Sequence, residues 1–145
     1  MNVGCSAANP SPVTVDSSNG VGQYTSITTG SDGLSLISYY DTVNHDLKVA
    51  HCANAACSLA GAYTLDSTGD VGKFTSITIG ADGLGLIGYY DTTNASLKVA
   101  HCTILVCSSA TTATPEGGGG VAGQYTGIGV QKALAQWATL RSPVK

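Results

Sequence analysis

The feature that most constrains the fold of this chain is a tandem repeat of fifty residues. Residues 15–64 align with residues 65–114 without a gap, and 29 of the 50 paired positions are identical. The shared positions include the whole of LKVAHC, which starts at Leu47 and again at Leu97. Segments this similar adopt the same local structure, so an architecture assigned to one repeat applies to the other.

Fragments of further units flank the two complete repeats. VTVD at residues 13–16 resembles YTLD at 63–66, and GQYTGI at 123–128 resembles GKFTSI at 72–77. We therefore divide the chain into a partial preceding unit (1–14), two blade repeats (15–64 and 65–114), a Gly-rich linker (115–123), a partial strand (124–130) and a C-terminal segment (131–145). The linker contains a formal GxGxxG match, but a strand follows it, whereas a dinucleotide fingerprint requires a helix there. Near-helical apolar spacing in the C-terminal segment favours a helix over a disordered tail.

Each repeat contains four short strand candidates separated by turn signals. In the first repeat, side chains alternate over residues 23–29, 34–40 and 47–52, and a weaker strand covers 62–65. Asp32-Gly33 is a strong hairpin signal, and Asp41 and Asn44 bracket the next turn. Four short antiparallel strands at this period are typical of a β-propeller blade. We therefore predict an all-β, propeller-like fold with two full four-stranded antiparallel blades and terminal fragments.

The pattern YTSIxxGxDGLxLIxYYDxxNxxLKVAHCxxxxC resembles a tandem repeat of large bacterial proteins, which are often surface-exposed. The resemblance covers residues 13–130 and implies propeller-like blades, but it carries no catalytic residues over to this chain. A closed ring needs at least about four blades, and each blade packs against its neighbours. Because this chain supplies two full blades, we expect homo-oligomerisation to complete the ring, and a trimer would give six.

Each repeat carries the pattern His-Cys-x4-Cys, with Cys52 and Cys57 in the first and Cys102 and Cys107 in the second. A zinc site is disfavoured because adjacent His and Cys residues point to opposite faces of a strand. A short loop between strands places the two cysteines opposite each other, which favours disulfides over free thiols. Disulfides indicate an oxidising compartment, at the cell surface or outside the cell.

The start of the chain has no signal-peptide pattern. Cys5 is an odd thiol that could cross-link chains.

The motif Tyr-Tyr-Asp-x-x-Asn follows the second strand candidate of each repeat. Its members are Tyr39, Tyr40, Asp41 and Asn44 in the first repeat and Tyr89, Tyr90, Asp91 and Asn94 in the second. One interpretation is a turn cap beside packed aromatic rings. The other is a sugar or small-ligand site, because an aromatic ring beside Asp and Asn offers stacking and hydrogen bonds. These eight residues are our candidate ligand-binding residues, and we expect no metal among them.

The repeated His51 and His101 share a strand face with leucine and valine, which favours buried, hydrogen-bonded core histidines. No serine or cysteine nucleophile stands with a carboxylate in a recognised motif. A propeller hydrolase would need carboxylates paired across the ring. The repeated carboxylate candidates, Asp32/Asp82 and Asp41/Asp91, all have the sequence setting of turn residues.

Charge and hydropathy limit the classes of partner that the chain is expected to bind. Charged residues make up 10 % of the chain and the net charge is −3, so the basic footprint of nucleic-acid binding is missing. No apolar run approaches the roughly 20 residues needed to span a bilayer. We therefore predict a non-enzymatic binding module without a cofactor, whose ligand is a carbohydrate or a cell-surface partner. The alternatives are a structural fragment of a longer repeat protein and a propeller-type hydrolase.

Overall fold

The computed structural model describes residues 12–116 together with Gln124 and Gly127, and these residues form eight strands. The first four are β1 (Val21–Thr29), β2 (Ser35–Asp41), β3 (Asp46–Cys52) and β4 (Ala60–Asp66). The next four are β5 (Val71–Ile79), β6 (Gly85–Asp91), β7 (Ser96–Cys102) and β8 (Ala110–Glu116). They form two antiparallel four-stranded sheets in chain order, sheet 1 from β1–β4 and sheet 2 from β5–β8. The prediction of an all-β chain with four antiparallel strands per repeat is confirmed.

The turns form where the sequence predicts them. Gly33 has a φ of 79°, a left-handed conformation that glycine adopts without a steric penalty, and Leu34 N–H donates to the Asp32 carboxylate at 3.0 Å. Gly83, Asp82 and Leu84 repeat this turn in sheet 2, with a φ of 83° and a bond of 3.1 Å. The Asp-Gly pair therefore fixes the β1–β2 and β5–β6 connections.

Sheet 2 packs on sheet 1 through β5, which contacts β1, β2 and β3. We call this contact between the two sheets the seam. The principal apolar cluster comprises Leu36, Leu47, Val49, Val71, Ile77, Ile87, Tyr89, Ala100, Cys102 and Cys107. Because members from both sheets are almost completely buried, removal of apolar surface from water is the main force that holds the sheets together.

Several predicted segments lie outside the described residues. These are residues 1–11 of the partial preceding unit, the linker after Glu116, the partial strand at 124–130 apart from Gln124 and Gly127, and the C-terminal segment at 131–145. In the described part of the chain, no helix is long and apolar enough to cross a bilayer.

Candidate functional site

The candidate ligand-binding motif lies at the ends of β2 and β6, where most of it is buried. The tyrosines and aspartates of the motif are all at most 7 % exposed: Tyr39, Tyr40, Asp41, Tyr89, Tyr90 and Asp91. The Asp41 carboxylate accepts hydrogen bonds from the backbone N–H groups of Val43 and Asn44 at 2.9 and 3.0 Å, and from the Asn44 amide at 2.9 Å. Asp91 and Asn94 form the same cap. The structure thus brings the motif together as a turn cap, and ligand binding by these residues remains a prediction.

Asp66 joins the two sheets through a buried cluster that we call the Asp66 clamp. Asp66 is the last residue of β4, and its Oδ2 accepts a hydrogen bond from the Tyr89 hydroxyl at 2.7 Å. The Lys98 Nζ lies 2.5 Å from the same oxygen. Burial alone would raise the pKa of Asp66, but the hydrogen bonds from Lys98 and Tyr89 outweigh burial and hold this pKa below its usual value. Burial and the Asp66 charge together raise the pKa of Tyr89.

Asp16 makes the same two contacts one repeat earlier. The Tyr39 hydroxyl donates to Asp16 Oδ2 at 2.7 Å, and Lys48 Nζ lies 3.1 Å from that oxygen. Burial opposes the ionised form of Asp16, yet hydrogen bonds from Ser18, Tyr39 and Lys48 keep its pKa well below the usual value. Residues 13–16 therefore lie against sheet 1 in the same way as the end of β4 lies against sheet 2.

A second polar cluster occurs at the seam. The Tyr40 hydroxyl lies 2.7 Å from both His45 Nδ1 and Asp70 Oδ1. Lys73 Nζ lies 2.6 Å from Asp70 Oδ2 and 5.3 Å from the centre of the Tyr40 ring. The second repeat has Ala95 at the position of His45. The described residues of sheet 2 therefore do not repeat this cluster, which occurs at the seam. The cluster offers a carboxylate, an ammonium group, an imidazole and a phenol within a few ångströms.

The aromatic residues Tyr24 and Phe74 lie beside this cluster on β-bulges. The register of β1 shifts between Gln23 and Ser26, and the register of β5 shifts at the equivalent position. Tyr24 and Phe74 have φ values of 53° and 55°, a left-handed conformation that costs a residue with a Cβ about 1–2 kcal/mol. Their ring centroids are 4.6 Å apart, and Tyr24 lies 6.1 Å from Tyr40. We call Tyr24, Phe74 and Tyr40 the bulge aromatics.

Tyr24 and Phe74 differ from the predicted motif in being partly accessible. Tyr24 is 41 % exposed, whereas Tyr40 is 3 % exposed. Sequence reasoning identified Tyr40 but missed Tyr24, Phe74 and the polar residues beside them. A signal was present in the triplets GQY at 22–24 and GKF at 72–74, because a glycine two residues before an aromatic in a strand can mark a bulge.

The two histidines of the LKVAHC segments each bind the aspartate of a nearby turn. His51 Nε2 lies 2.8 Å from Asp32 Oδ2, and His101 Nε2 lies 2.8 Å from Asp82 Oδ2. The His51 side chain is 9 % exposed, as predicted for a hydrogen-bonded core histidine, but that of His101 is 42 % exposed. The difference arises because sheet 2 packs on the face of sheet 1 that carries His51, whereas no described strand packs on the equivalent face of sheet 2, which carries His101. Backbone bonds from Leu34 and Leu84, followed by the histidines, hold the pKa values of Asp32 and Asp82 below their usual value.

The cysteines pair within each repeat, as predicted. Cys52 and Cys57 lie at disulfide distance with their Cα atoms 4.8 Å apart, and Cys102 and Cys107 do so with theirs 4.9 Å apart. Among the described residues, no group of three or more His, Cys, Asp or Glu side chains is placed to hold a metal ion. Each disulfide closes the turn that leads into the last strand of its sheet.

Replacing Cys102 and Cys107 together by serine should lower the free energy of unfolding by about 3 kcal/mol. Closing a short loop contributes about 2 kcal/mol in the entropic estimate, and burying two hydroxyls adds about 1 kcal/mol. Both cysteines are fully buried, whereas Cys57 in the other pair is partly exposed. The Cys52→Ser/Cys57→Ser variant should therefore lose less stability in urea unfolding. Equal losses of unfolding free energy in the two double variants would contradict the role assigned to the burial of Cys107.

The fold and the site define an all-β protein of two repeated antiparallel sheets with an aromatic and polar cluster at their seam. No protein-family model, curated protein or solved structure matches the chain.

Proposed function

We propose that the chain is a non-enzymatic binding module built from propeller-type blades, with a carbohydrate as its ligand. The observation that carries this proposal is the repeated bulge, which turns the partly exposed Tyr24 ring toward solvent beside Phe74 and the seam cluster. Unfavourable backbone conformations persist where the surrounding structure enforces them, and they are concentrated at functional sites. The same conformation in both repeats supports a role for the aromatic at this position.

The chemistry of the seam suits a sugar. A pyranose ring presents an apolar C–H face and a rim of hydroxyl groups, so it binds where an exposed aromatic ring lies beside charged hydrogen-bonding groups. Tyr24 supplies the ring, and Asp70, Lys73 and His45 supply acceptors and donors at the seam, where they bond to Tyr40 or to each other. His45 is the most accessible of these three, with a side chain that is 56 % exposed.

The propeller interpretation extends this site to several copies. The two sheets stack face to face with antiparallel strands in chain order, which is the way neighbouring blades pack. Neither sheet closes on itself, so further blades from other copies of the chain would complete a ring. Several weak sugar sites in one assembly would then act together and raise the avidity. The paired cysteines suit an assembly that works outside the cell or at its surface.

The ligand proposal can be tested with a panel of immobilised neutral and acidic oligosaccharides, followed by titration of the strongest binder. Tyr24→Gly removes the ring while retaining the left-handed conformation, so binding should weaken about tenfold with little loss of stability. The matched control is Leu59→Ala, which trims an apolar side chain that is 68 % exposed in the turn before β4. Binding of no oligosaccharide would overturn the carbohydrate proposal and favour a purely structural role. Equal binding by Tyr24→Gly and wild type would overturn the site.

A further inference from the structure

The seam shows which surface of one repeat fits which surface of the next. Sheet 2 presents four residues of one face to the seam, and each is at most 8 % exposed: Val71, Thr75, Ile77 and Ile87. We call this surface the receiving face. Sheet 1 covers it with the opposite face of its own sheet, where Leu36, Leu47 and Val49 are 1, 0 and 0 % exposed. We call that surface the covering face.

The receiving face of sheet 1 has the same apolar character but nothing in the described part of the chain covers it fully. Ile27 is 64 % exposed, whereas its equivalent Ile77 is 6 % exposed. A groove of about 220 Å³ lies on this face, between Val21, Thr25, Ile37 and residues 15 and 16. A Cβ added to Gly72 would meet the Leu47 backbone, but a Cβ added to Gly22 would have no atom of the described residues within 4 Å.

The covering face of sheet 2 is correspondingly more exposed than that of sheet 1. It carries Leu86, Leu97 and Val99, the same residue types at the same repeat positions, and all three are only partly buried. One copy therefore has a receiving face on sheet 1 and a covering face on sheet 2, and the seam inside the same chain shows that these two kinds of surface fit.

Part of the hydrogen bonding of the seam can be repeated between copies. Among the described residues, four hydrogen bonds between the two repeats have a backbone group as one partner. They are Val71 N–H to His45 O at 3.0 Å, Thr75 Oγ1 to Tyr24 O at 2.7 Å, Ile77 N–H to Ser26 Oγ at 3.2 Å and Ser31 Oγ to Gly83 O at 2.6 Å. The equivalent groups of the first three exist, on Val21, Thr25 and Ile27 of one copy and on Ala95, Phe74 and Ser76 of another. The Ser38–Thr75 and Ser31–Gly83 bonds have no equivalent, because the counterparts of Ser38 and Ser31 are Gly88 and Ala81. The contact between copies should thus be weaker than the seam.

One segment must move for the two surfaces to meet as they do at the seam. Residues 13–16 already occupy the place of a fourth strand on the receiving face of sheet 1, and the end of β8 would occupy the same place in an arriving copy. Of these two segments, the end of β8 is the weaker candidate for the place of the fourth strand. Pro115 has no N–H to donate, and Lys98 lacks the pairing that Lys48 makes with Thr64 in sheet 1. VTVD at 13–16 contains β-branched residues and no proline, so it is the better strand former.

We propose that copies of this chain associate head to tail, the receiving face of sheet 1 in one copy docking on the covering face of sheet 2 in the next. Residues 13–16 of the first copy replace residues 113–116 on β7 of the second and complete its sheet. This inference rests on the assembly proposed above and is independent of the ligand. An association of this kind either closes into a ring or continues as a filament, according to the rotation between copies.

The test uses two variants that each block one surface. Ile27→Asp places a charge on the receiving face at an exposed position, and Leu86→Asp does so on the covering face. Light scattering on a sizing column, over about a hundredfold range of concentration, should show an assembly for wild type and a monomer for each variant. An equimolar mixture of the two variants should give a dimer and nothing larger, because one intact pair of surfaces remains.

The outcomes separate the inference from the proposals on which it rests. A wild-type monomer at every concentration would overturn both the assembly and this interface. An assembly that persists in Ile27→Asp, or a mixture that stays monomeric while both variants are folded, would overturn the interface alone. Circular dichroism checks folding, and Leu97→Asp provides a second block of the covering face if Leu86→Asp unfolds. Val43→Asp, at a turn residue that is 54 % exposed, is the control that should assemble normally.

Discussion

Replacing Asp66 with asparagine should lower the free energy of unfolding by about 3 kcal/mol, because removing one partner of a buried ion pair leaves the other charge uncompensated. The asparagine oxygen can still accept a hydrogen bond from Tyr89. The Lys98 side chain, however, is only 12 % exposed and loses its closest carboxylate. Asp91 Oδ2 lies 4.0 Å from Lys98 Nζ and compensates in part, which keeps the expected loss at the lower end of the range for such pairs. Urea unfolding at neutral pH measures this loss.

The control for the Asp66 clamp is Asp46→Asn. Asp46 begins β3, and burial together with the Asp41 charge raises the pKa of its carboxyl group. Its ionised form is therefore disfavoured in the folded protein, so the amide should leave stability unchanged or raise it slightly. If Asp66→Asn lost no more stability than Asp46→Asn, the clamp would not be holding the sheets together.

The Asp66 clamp also predicts how stability depends on pH. The folded protein lowers the pKa of Asp66, so at acid pH the unfolded state binds more protons at this residue. The contribution of Asp66 is complete above the unfolded value of about 3.9 and is lost as the pH falls through the lower folded value. Wild type should therefore lose stability more steeply than Asp66→Asn below about pH 4. Parallel curves would contradict the assignment of the lowered pKa to folding.

The strands were predictable from the sequence because each one alternates and ends at a recognisable turn. The first strand candidate at 23–29 became Val21–Thr29, and the third at 47–52 became Asp46–Cys52. The cysteine pairs were predictable for a related reason, since four intervening residues bring neighbouring strand positions opposite each other. In both cases the interactions that decide the structure are local in sequence.

The candidate site was harder to predict because its contacts are distant in sequence. Tyr24 and Phe74 meet across fifty residues, and Asp70 reaches Tyr40 across the seam. Simple alternation also fails at a bulge, where an extra residue changes the face on which the following side chains lie. The Tyr-Tyr-Asp motif was visible from its repetition, but repetition alone does not distinguish a turn cap from a ligand site.

Substituting alanine for Gly72 should lower the free energy of unfolding by about 4 kcal/mol, the sum of two effects at one position. Gly72 has a φ of 103°, so any residue with a Cβ is strained there by about 1–3 kcal/mol. The new methyl group would also lie 2.7 Å from the Leu47 Cα and 2.9 Å from its backbone nitrogen, and overpacking of this kind costs about 1–3 kcal/mol. Because both contacts are with the backbone of β3, they can be relieved only by parting the two sheets at the seam.

Gly22→Ala is the matched control, because it introduces the same change at the same position of the other repeat. Gly22 has a φ of 94°, close to that of Gly72, but in the described part of the chain a Cβ there meets no atom within 4 Å. Gly22→Ala should lower the free energy of unfolding by about 2 kcal/mol less than Gly72→Ala, because it causes no overpacking. Urea unfolding of the dilute chain measures both values. Equal losses would contradict the close approach of Gly72 to Leu47. If copies join head to tail, Leu97 of a neighbouring chain approaches Gly22 as Leu47 approaches Gly72, so Gly22→Ala should also prevent association. The same methyl group would thus act on folding at one repeat and on assembly at the other.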